Sequence, residues 1–401
     1  MGSADPFREK VVYLDNNATT RVAPEGLEAM LPFLREKYGN PSSMYSFGGD
    51  LEIELDRARQ SIASLINCQP QEIIFTSCGS ESDNFAIRGL VDAYPEKRHI
   101  ITSTVEHPAI KNQIPYLKKR GLRVTEIAVD GKGNIDLNRI EDAIEADTLL
   151  ISCMYANNET GVIFPVKEIG ELARRRGVLF HSDAVQALGK LSIDLNDLPI
   201  DLLSFSGHKI HAPKGIGGLY IRRGIKIRPL IIGGHQERSR RGGTENLPYI
   251  VALGRAAELA AENINEEKSR VAYLRDKLEK GILSAIESTE VNGTIESRLP
   301  NTTNIGIHFV EGEALLLAMD KYNIAASTGS ACASGSLQPS HVLRAMGVPF
   351  TSIHGSVRFS LSIYNTEEEI DYVLRVLPEI VEKLRRVSPF HSLEDVKAFG
   401  A

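Results

Sequence analysis

The chain has 401 residues, of which 42% are hydrophobic and 24% charged, and its formal net charge is −6. This length predicts two domains with sizeable cores, and the composition is typical of a soluble globular protein and argues against disorder. The acidic balance argues against a nucleic-acid partner, and no stretch approaches the roughly 20 consecutive apolar residues of a membrane helix, so no membrane partner is expected.

Residues 1–10 lack an apolar core, which excludes a secretory signal, and they are predicted to form a flexible leader, either a native tail or a cloning scar. Pro24 opens the first predicted helix, which Gly39 closes. Its apolar residues recur at helical spacing: Leu27, Met30, Leu31 and Leu34. A second helix is predicted over 51–67, with one apolar face formed by Leu55, Ala58, Ile62 and Leu65.

Short apolar runs then alternate with helical patterns such as 166–175. The runs predict seven strands, at 73–76, 99–102, 124–129, 149–154, 178–182, 202–206 and 218–221. Alternation of this kind predicts an α/β fold, in which helices cover both faces of a mainly parallel sheet. Ligands of such sheets bind at the carboxyl ends of the strands, so the functional site is expected there.

The last third of the chain has a different character. A long helix is predicted from about Tyr249 to Ile286, followed by strands at 305–309 and 356–361 and helices at 311–322 and from Glu367. This order predicts a smaller α+β domain. The expected division is a small-domain segment at 11–25, a large domain at 26–262 and the rest of the small domain at 263–401.

The four cysteines are far apart and form no Cys-x-x-Cys pair, which fits a reducing cytoplasm better than a disulfide framework. Cys68, Cys78 and Cys153 neighbour apolar patterns and are predicted to be structural. Cys332 lies in a run of small polar residues at 327–336, which predicts a mobile loop with a reactive thiol. No set of metal ligands is found.

Polar residues follow several of the predicted strands. Gly79 and Ser80 begin a helix, whose N-terminus could hold a phosphate, although most such turns are only turns. His107 follows the second strand, where a structural histidine is the commoner alternative. Asn158 follows the fourth strand, where a capped turn is the alternative. Asp183 ends the fifth, and Gln186 comes three residues later.

Lys209 directly follows the sixth strand and lies between His208 and His211. A lysine in such a place can form a Schiff base, but it could also extend to solvent, and this segment alone leaves both readings open. Taken together, the strand-end residues match a pyridinium aldehyde phosphate. Such a cofactor needs a lysine, an acid for its ring nitrogen, a donor for its phenolic oxygen and a phosphate cradle: Lys209, Asp183, Gln186 and Gly79–Ser80.

At these residues the chain resembles the cysteine desulfurases of the NifS/IscS type, which belong to the class V aminotransferase group of fold-type I pyridoxal-phosphate (PLP) enzymes. The resemblance runs from about Val12 to about Ser388. It rests on eight ordered motifs, at 13–20 (Tyr-Leu-Asp-Asn-Asn-Ala-Thr-Thr), 38–43, 156–161, 181–186, 206–209 (Ser-Gly-His-Lys), 241–246, 330–334 (Ser-Ala-Cys-Ala-Ser) and 356–361.

The resemblance implies a role for each matching residue. Lys209 would bind PLP and remove the substrate's Cα proton, Asp183 would pair with the ring nitrogen, and His107 would stack on the ring. Gln186 would donate to the phenolic oxygen. The residues expected to hold the phosphate are Gly79, Ser80, Ser206 and His208, with Thr244 reaching the phosphate of a partner subunit, which implies a homodimer.

Asn158 and Arg358 would bind the carboxylate of L-cysteine. Cys332 would take the sulfur as a persulfide, release L-alanine and pass the sulfur to an acceptor protein. The surroundings of Cys332 resemble the long-loop group of the family, which generally supplies iron–sulfur scaffolds, so Cys332 is also a candidate for a transient iron–sulfur ligand. The acceptor stays open between an iron–sulfur scaffold, a nitrogen-fixation scaffold and a tRNA-thiolation relay.

Two departures from the family pattern are visible. Ser77-Cys-Gly-Ser-Glu81 stands where the family usually has Ser-Gly-Ala-Thr-Glu, and Ser80 keeps the hydroxyl group there. Tyr45 stands where many relatives have His, and no role is assigned to it. Three alternatives remain at this stage: a selenocysteine lyase or another class V aminotransferase, a non-catalytic sulfur-relay protein with a dead PLP site, and an α/β domain without activity.

Overall fold

The structure, a computed structural model, describes residues 10–328 and 339–389. Most of the predicted leader and residues 329–336 of the Cys332 segment, including Cys332 itself, therefore lie outside the described residues. Within the described part, none of the helices combines the length and the apolar character that crossing a membrane requires.

The described residues form twelve strands: β1 (Val12–Tyr13), β2 (Ile73–Thr76), β3 (His99–Ser103), β4 (Arg123–Ile127), β5 (Thr148–Ser152), β6 (Leu179–Asp183), β7 (Leu202–Ser206), β8 (Gly217–Ile221), β9 (Thr289–Val291), β10 (Thr302–Ile307), β11 (Ile324–Ala325) and β12 (Ser356–Ser360).

Helical segments connect these strands: α1 (Pro24–Arg35), α2 (Ser46–Gly49), α3 (Glu52–Leu65), α4 (Gly79–Ala93), α5 (Pro108–Lys111), α6 (Ile114–Lys119), α7 (Leu137–Asp142), α8 (Val166–Arg176), α9 (Gln236–Ser239), α10 (Leu247–Glu266), α11 (Ala272–Ala285), α12 (Gly312–Asp320), α13 (His341–Ala345), α14 (Phe350–Ile353) and α15 (Glu367–Val387). Short 3₁₀ turns cover Pro70–Glu72 and Gly207–Lys209, and a π turn covers Glu267–Val271.

The large sheet contains the seven predicted strands in the order β2-β8-β7-β6-β5-β3-β4. In this sheet β8 runs in the direction opposite to the other six strands, which are parallel to one another. The prediction of a mainly parallel α/β sheet is therefore confirmed. The last residue of β5, Ser152, pairs with His181 in the middle of β6, and the last residue of β6, Asp183, pairs with Ser204 in the middle of β7, so these strands end within two residues of one another. Residues that follow these strands are therefore brought to one edge.

Both faces of this sheet are apolar and covered by helices. Alternate side chains of a strand point to opposite faces, so one strand contributes to two cores. Ile73 and Phe75 of β2 pack into one apolar core, and Ile74 between them packs into another. β5 divides in the same way, with Ile151 in the first core and Leu150 in the second. Both faces are thus buried, as the continuous apolar runs of these strands predict.

A third apolar core lies on the small antiparallel sheet β12-β10-β9. It combines residues of α11, α12 and α15 with Val12 and Leu14 from the start of the described chain. The short strand β1 reaches this part of the molecule by pairing with β11. The division into 11–25, 26–262 and 263–401 stays a prediction, and the separate third core is compatible with it.

The first helix differs from its prediction. It ends at Arg35 rather than at Gly39, and its buried face contains Gly26, Met30 and Phe33. Leu27 and Leu34 are half exposed in this chain. The face at Gly26 is the one that approaches α10, where the Ala252 carbonyl oxygen lies 3.6 Å from the position of a Cβ at Gly26. Periodicity identified the helix but not which apolar residues meet a neighbour.

Candidate active site

A cavity of about 320 Å³ opens beyond the carboxyl ends of the parallel strands, at the expected edge of the sheet. Its volume is ordinary for a cofactor or small-molecule site. It is lined by ten residues that the sequence predicted for the site: Gly79, Ser80, His107, Asn158, Asp183, Gln186, Ser206, His208, Lys209 and Arg358. These side chains come from separate parts of the chain and meet because each follows or belongs to a strand.

Lys209 lies in the 3₁₀ turn that directly follows β7. Its Nζ donates to the carbonyl oxygen of Asn17 at 2.5 Å and to that of Ala18 at 2.7 Å. Two backbone acceptors therefore hold the amine at the wall of the cavity instead of letting it extend into solvent. This placement favours the Schiff-base reading of the lysine over the solvent-exposed one.

Asp183 is the last residue of β6 and is buried. One carboxylate oxygen accepts the backbone N–H of Val185 at 2.9 Å, and burial raises the pKa of the carboxyl to about 6. Asp83, on α4, lies beside it, and its own pKa is raised well above the usual value by burial first and then by the charge of Asp183. A buried carboxylate facing the cavity is suited to a cationic ring nitrogen, which would stabilise its charge.

His107 begins α5 and accepts the backbone N–H of Ala109 at Nδ1, at 3.2 Å. Burial, with a smaller contribution from the charge of Lys209, lowers the pKa of its ring to about 4. The ring is therefore neutral near pH 7, and its proton is on Nε2 because Nδ1 acts as an acceptor. The candidate metal-ligand atoms of His107, Asp83 and Asp183 lie within 4.8 Å of one another, so the ring and both carboxyls share one side of the cavity.

The other end of the cavity has the features of an anion site. Helix α4 starts at Gly79 without a side-chain cap, so its first N–H groups point to the cavity end unsatisfied by a cap. A Cβ at Gly79 would lie 2.7 Å from Val185 Cγ2, so a side chain there would crowd this end. The buried hydroxyl of Ser206 has no hydrogen-bond partner among the described residues. His208 completes this end, and its Nδ1 lies 3.1 Å from Thr19 Oγ1.

Arg358 enters from the small sheet, on β12. Although it is almost fully buried, its guanidinium is fixed by Asp15 at 2.6 Å and by the carbonyl oxygen of Asn158 at 2.9 Å. Its Nε has no partner in the described part of the chain. Such a pre-oriented guanidinium suits a planar carboxylate. The capped turn considered for Asn158 is instead formed by its neighbour Asn157, whose Oδ1 accepts two backbone N–H groups.

Sequence reasoning missed Asn17, Asp83 and Ala18, which also line the cavity. Asn17 contacts several parts of the site: its carbonyl accepts Lys209 and Gln186, and its Nδ2 donates to the Asn158 carbonyl at 3.2 Å. The signal for Asn17 and Ala18 was the motif at 13–20, which matched the family but was given no role. Asp83 gave no signal, because an acid within a helix is ordinarily exposed.

Thr244 lies in a separate cavity that Ser77 and Arg241 also line, so the structure does not bring it to the residues above. Arg241 Nε lies 3.0 Å from Glu81 of α4, and Glu81 in turn accepts the Ser77 N–H at 2.8 Å. The segment 241–246, called the Thr244 loop below, is therefore tied to α4, the helix whose first residues form the anion site. Cys332 lies outside the described residues.

The three other cysteines are free thiols. Burial raises the pKa of Cys68 to about 12 and that of Cys153 well above its usual value, so both stay protonated and are weak nucleophiles. Cys68 and Cys78 are both only half-buried, and Cys78 differs from the structural prediction because it lines the cavity beside Gly79.

Comparison with known proteins gives consistent results. The sequence profile of the family described as aminotransferase class V matches residues 12–373. A protein named cysteine desulfurase 2, from Trichormus variabilis, is 59% identical over 380 residues, 95% of each chain. The protein named cysteine desulfurase NifS, from Azotobacter vinelandii, is 53% identical over 382 residues, also 95% of each chain. A solved structure described as a NifS-like protein matches with a TM-score of 0.88 at 40% identity, covering 93% of this chain and 100% of the other.

Proposed function

The chain belongs to the class V aminotransferase family, and we infer that it is a PLP-dependent cysteine desulfurase. The observation that carries this inference is the single cavity in which Lys209, Asp183 and Arg358 converge. These side chains provide an amine for an aldehyde, an acid for a ring nitrogen and a clamp for a carboxylate. Near-complete alignment with relatives that bear the desulfurase name supports the same activity.

The residues present fit PLP. The uncapped start of α4 and the unpartnered Ser206 hydroxyl offer donors for a phosphate at one end of the cavity. Asp183 offers a buried carboxylate for the pyridine nitrogen at the other end, with the neutral ring of His107 on the same side. We assign the phosphate to Gly79, Ser80, Ser206 and His208, and the phenolic oxygen to Gln186.

When bound, PLP supplies an electron sink that stabilises negative charge at the substrate's Cα. Lys209 would hold the cofactor, and its Nζ would take the Cα proton of the substrate. Arg358 and Asn158 orient the substrate by its carboxylate, and His107 exchanges a proton through Nε2.

We propose Cys332 as the sulfur acceptor. Its thiolate attacks the substrate sulfur, and the electron pair of the broken carbon–sulfur bond goes to the substrate's Cβ, which takes up a proton. The sulfur stays on Cys332 as a persulfide, and L-alanine leaves. The raised thiol pKa values of Cys68 and Cys153 support this choice by removing two competitors. The persulfide sulfur then passes to an acceptor protein, for which we propose an iron–sulfur scaffold. Cys332 would be a transient ligand of the cluster during its assembly.

We also propose that the protein is a cytoplasmic homodimer. The free thiols of the described cysteines fit a reducing compartment. The separate cavity of Thr244 supports a role for this residue in a partner subunit's phosphate site, because it takes no part in the cavity of its own chain.

Cys332→Ser tests the proposal most directly. The variant should still bind PLP and L-cysteine, since neither step needs the thiol, but it should form neither L-alanine nor a protein persulfide above trace amounts. A serine hydroxyl is a far weaker nucleophile toward sulfur than a thiolate. Alanine is quantified after mixing with L-cysteine, and the sulfur adduct is located by mass spectrometry.

Cys68→Ser serves as the matched control and should keep the wild-type rate. Normal alanine production by Cys332→Ser would refute the role of Cys332, and so would a persulfide on Cys78 in the wild-type protein. Selenocysteine lyase is the alternative activity; a protein that releases alanine from selenocysteine and not from cysteine would establish it. Another aminotransferase activity would instead appear as a product other than alanine.

A further inference from the structure

Lys190 is a buried lysine next to the cofactor cavity but does not line it. Its Nζ donates to Gln186 Oε1 at 2.9 Å and to Asn17 Oδ1 at 3.1 Å. Few lysines are buried unless they are paired, so the contacts of this ammonium call for a physical reason.

The two contacts of Gln186 fix the orientation of its amide. In its charged form Lys190 Nζ can only donate, so the amide atom facing the ammonium must be the oxygen. The carbonyl oxygen of Asn17 can only accept, and it lies 3.0 Å from the amide nitrogen. The second N–H of the amide is consequently left for the cavity that Gln186 lines. If the amide were reversed, its oxygen would face the cavity and its nitrogen would face an ammonium.

An acidic residue, Glu267, lies on the side of Lys190 away from the cofactor cavity. Lys190 and Glu267 both line a second cavity, of about 220 Å³, which also reaches the other side of Lys209. Burial lowers the pKa of Lys190 to about 7, and the negative charge of Glu267 opposes this shift, while the positive charges of Lys209 and Arg358 add to it. Glu267 opens the π turn in the long helix, a widened turn of the kind often found at functional sites.

We propose that Lys190 is a positioning residue for the cofactor's phenolic oxygen. Its ammonium form holds the amide oxygen of Gln186 away from the cofactor, so that a Gln186 N–H is presented to the phenolic oxygen. This inference rests on the proposed function, because it assumes that PLP occupies the cavity with Gln186 beside the phenolic oxygen.

The test is a double-mutant cycle on PLP binding by the full-length protein, with Lys190→Met, Gln186→Ala and both changes together. Lys190→Met should weaken PLP binding about tenfold, since one hydrogen bond to a charged oxygen is lost. The absorbance maximum of bound PLP should move in the same direction in both single variants. In the Gln186→Ala background, Lys190→Met should change the PLP dissociation constant less than twofold, because there is no amide left to orient.

Lys167→Met is the matched control, because Lys167 is an exposed lysine on α8 whose Nζ pairs with Asp197 at 2.8 Å, at the surface. It should bind PLP as the wild type does. If Lys190→Met does not fold, Lys190→Met with Glu267→Gln, which removes both buried charges, is measured in its place. Effects of Lys190 and Gln186 that simply add, or an unchanged absorbance maximum, would overturn the role of Lys190. A wild-type protein that binds no PLP would instead overturn the proposed function.

Discussion

The amine of Lys209 is held by a segment that is remote in sequence, 15–20. The carbonyl oxygens of Asn17 and Ala18 in this segment accept hydrogen bonds from Nζ. Sequence reasoning identified Lys209 from its place after a strand, but it could not choose between a buried and a solvent-exposed side chain. The deciding contacts come from residues about 190 positions earlier, and local sequence carries no record of such pairing.

Lys209→Ala should abolish the visible absorbance band of bound PLP, because Lys209 is the one lysine among the described residues that line this cavity. Lys214→Ala, five residues later at an exposed position, should keep the band and the turnover. Both purified variants are compared with the wild type by absorbance spectroscopy after dialysis. The assignment of the cofactor lysine would be wrong if the band disappeared with Lys214→Ala and remained with Lys209→Ala.

The strands show what a local pattern can and cannot predict. All seven strands of the large sheet were predicted within a few residues, since buried parallel strands are continuous apolar runs. The antiparallel direction of β8 and the pairing of β1 with β11 were not predicted. Val12 pairs with Ile324 across 312 positions, and two-residue strands leave no periodic signal. Segments close in sequence were therefore predicted well, and long-range pairings were not.

A buried histidine joins the three central strands of the large sheet. Nδ1 of His181 lies 2.9 Å from Ser152 Oγ on β5, and its Nε2 lies 2.9 Å from Ser204 Oγ on β7. Burial lowers the pKa of this ring to about 3. An unfolded chain would bind a proton here near pH 6.5, whereas the folded protein does not until about pH 3. His181 therefore makes the folded state lose stability as the pH falls through this range.

His181→Gln should be less stable than the wild type at pH 8 but should lose less stability on acidification. For one histidine with this shift, the loss avoided between pH 8 and pH 5 is about 2 kcal/mol. The free energy of unfolding is measured in urea at both pH values for the holoenzyme. His235→Gln, an exposed position, should lose as much as the wild type. Equal losses in His181→Gln and the wild type would contradict this account.

At the scale of the whole molecule, one segment has an unusual backbone. The segment is α9 (Gln236–Ser239), which forms an irregular loop rather than a regular helix. Glu237, Arg238 and Ser239 all have positive φ, between 46° and 62°, which is costly for residues other than glycine. A buried ion pair holds the loop, because both oxygens of Glu237 accept from Arg59, at 2.8 and 2.9 Å. The loop leads directly to Thr244, so its shape fixes where Thr244 is presented.

The same region exposes apolar side chains that a monomer would leave in water. Ile231 is 38% exposed and Ile232 87%. Ile232 is adjacent to the Thr244 loop, since the Gly242 N–H donates to the Ile231 carbonyl at 2.9 Å. Apolar surface beside a residue with no role in its own cavity supports the proposal that a second copy of the chain covers this region.

Ile232→Glu should therefore shift the protein from dimer to monomer in sedimentation velocity, because a carboxylate would be buried at the interface without a partner. The same variant should bind PLP more weakly, since a monomer lacks the Thr244 of a second subunit at its phosphate site. Leu317→Glu is the matched control: Leu317 is 68% exposed on α12, in the small α+β part, and its change should affect neither property. A wild-type protein that is monomeric and fully active would contradict the dimer, and a dimeric Ile232→Glu variant with unchanged PLP affinity would exclude this surface as its interface.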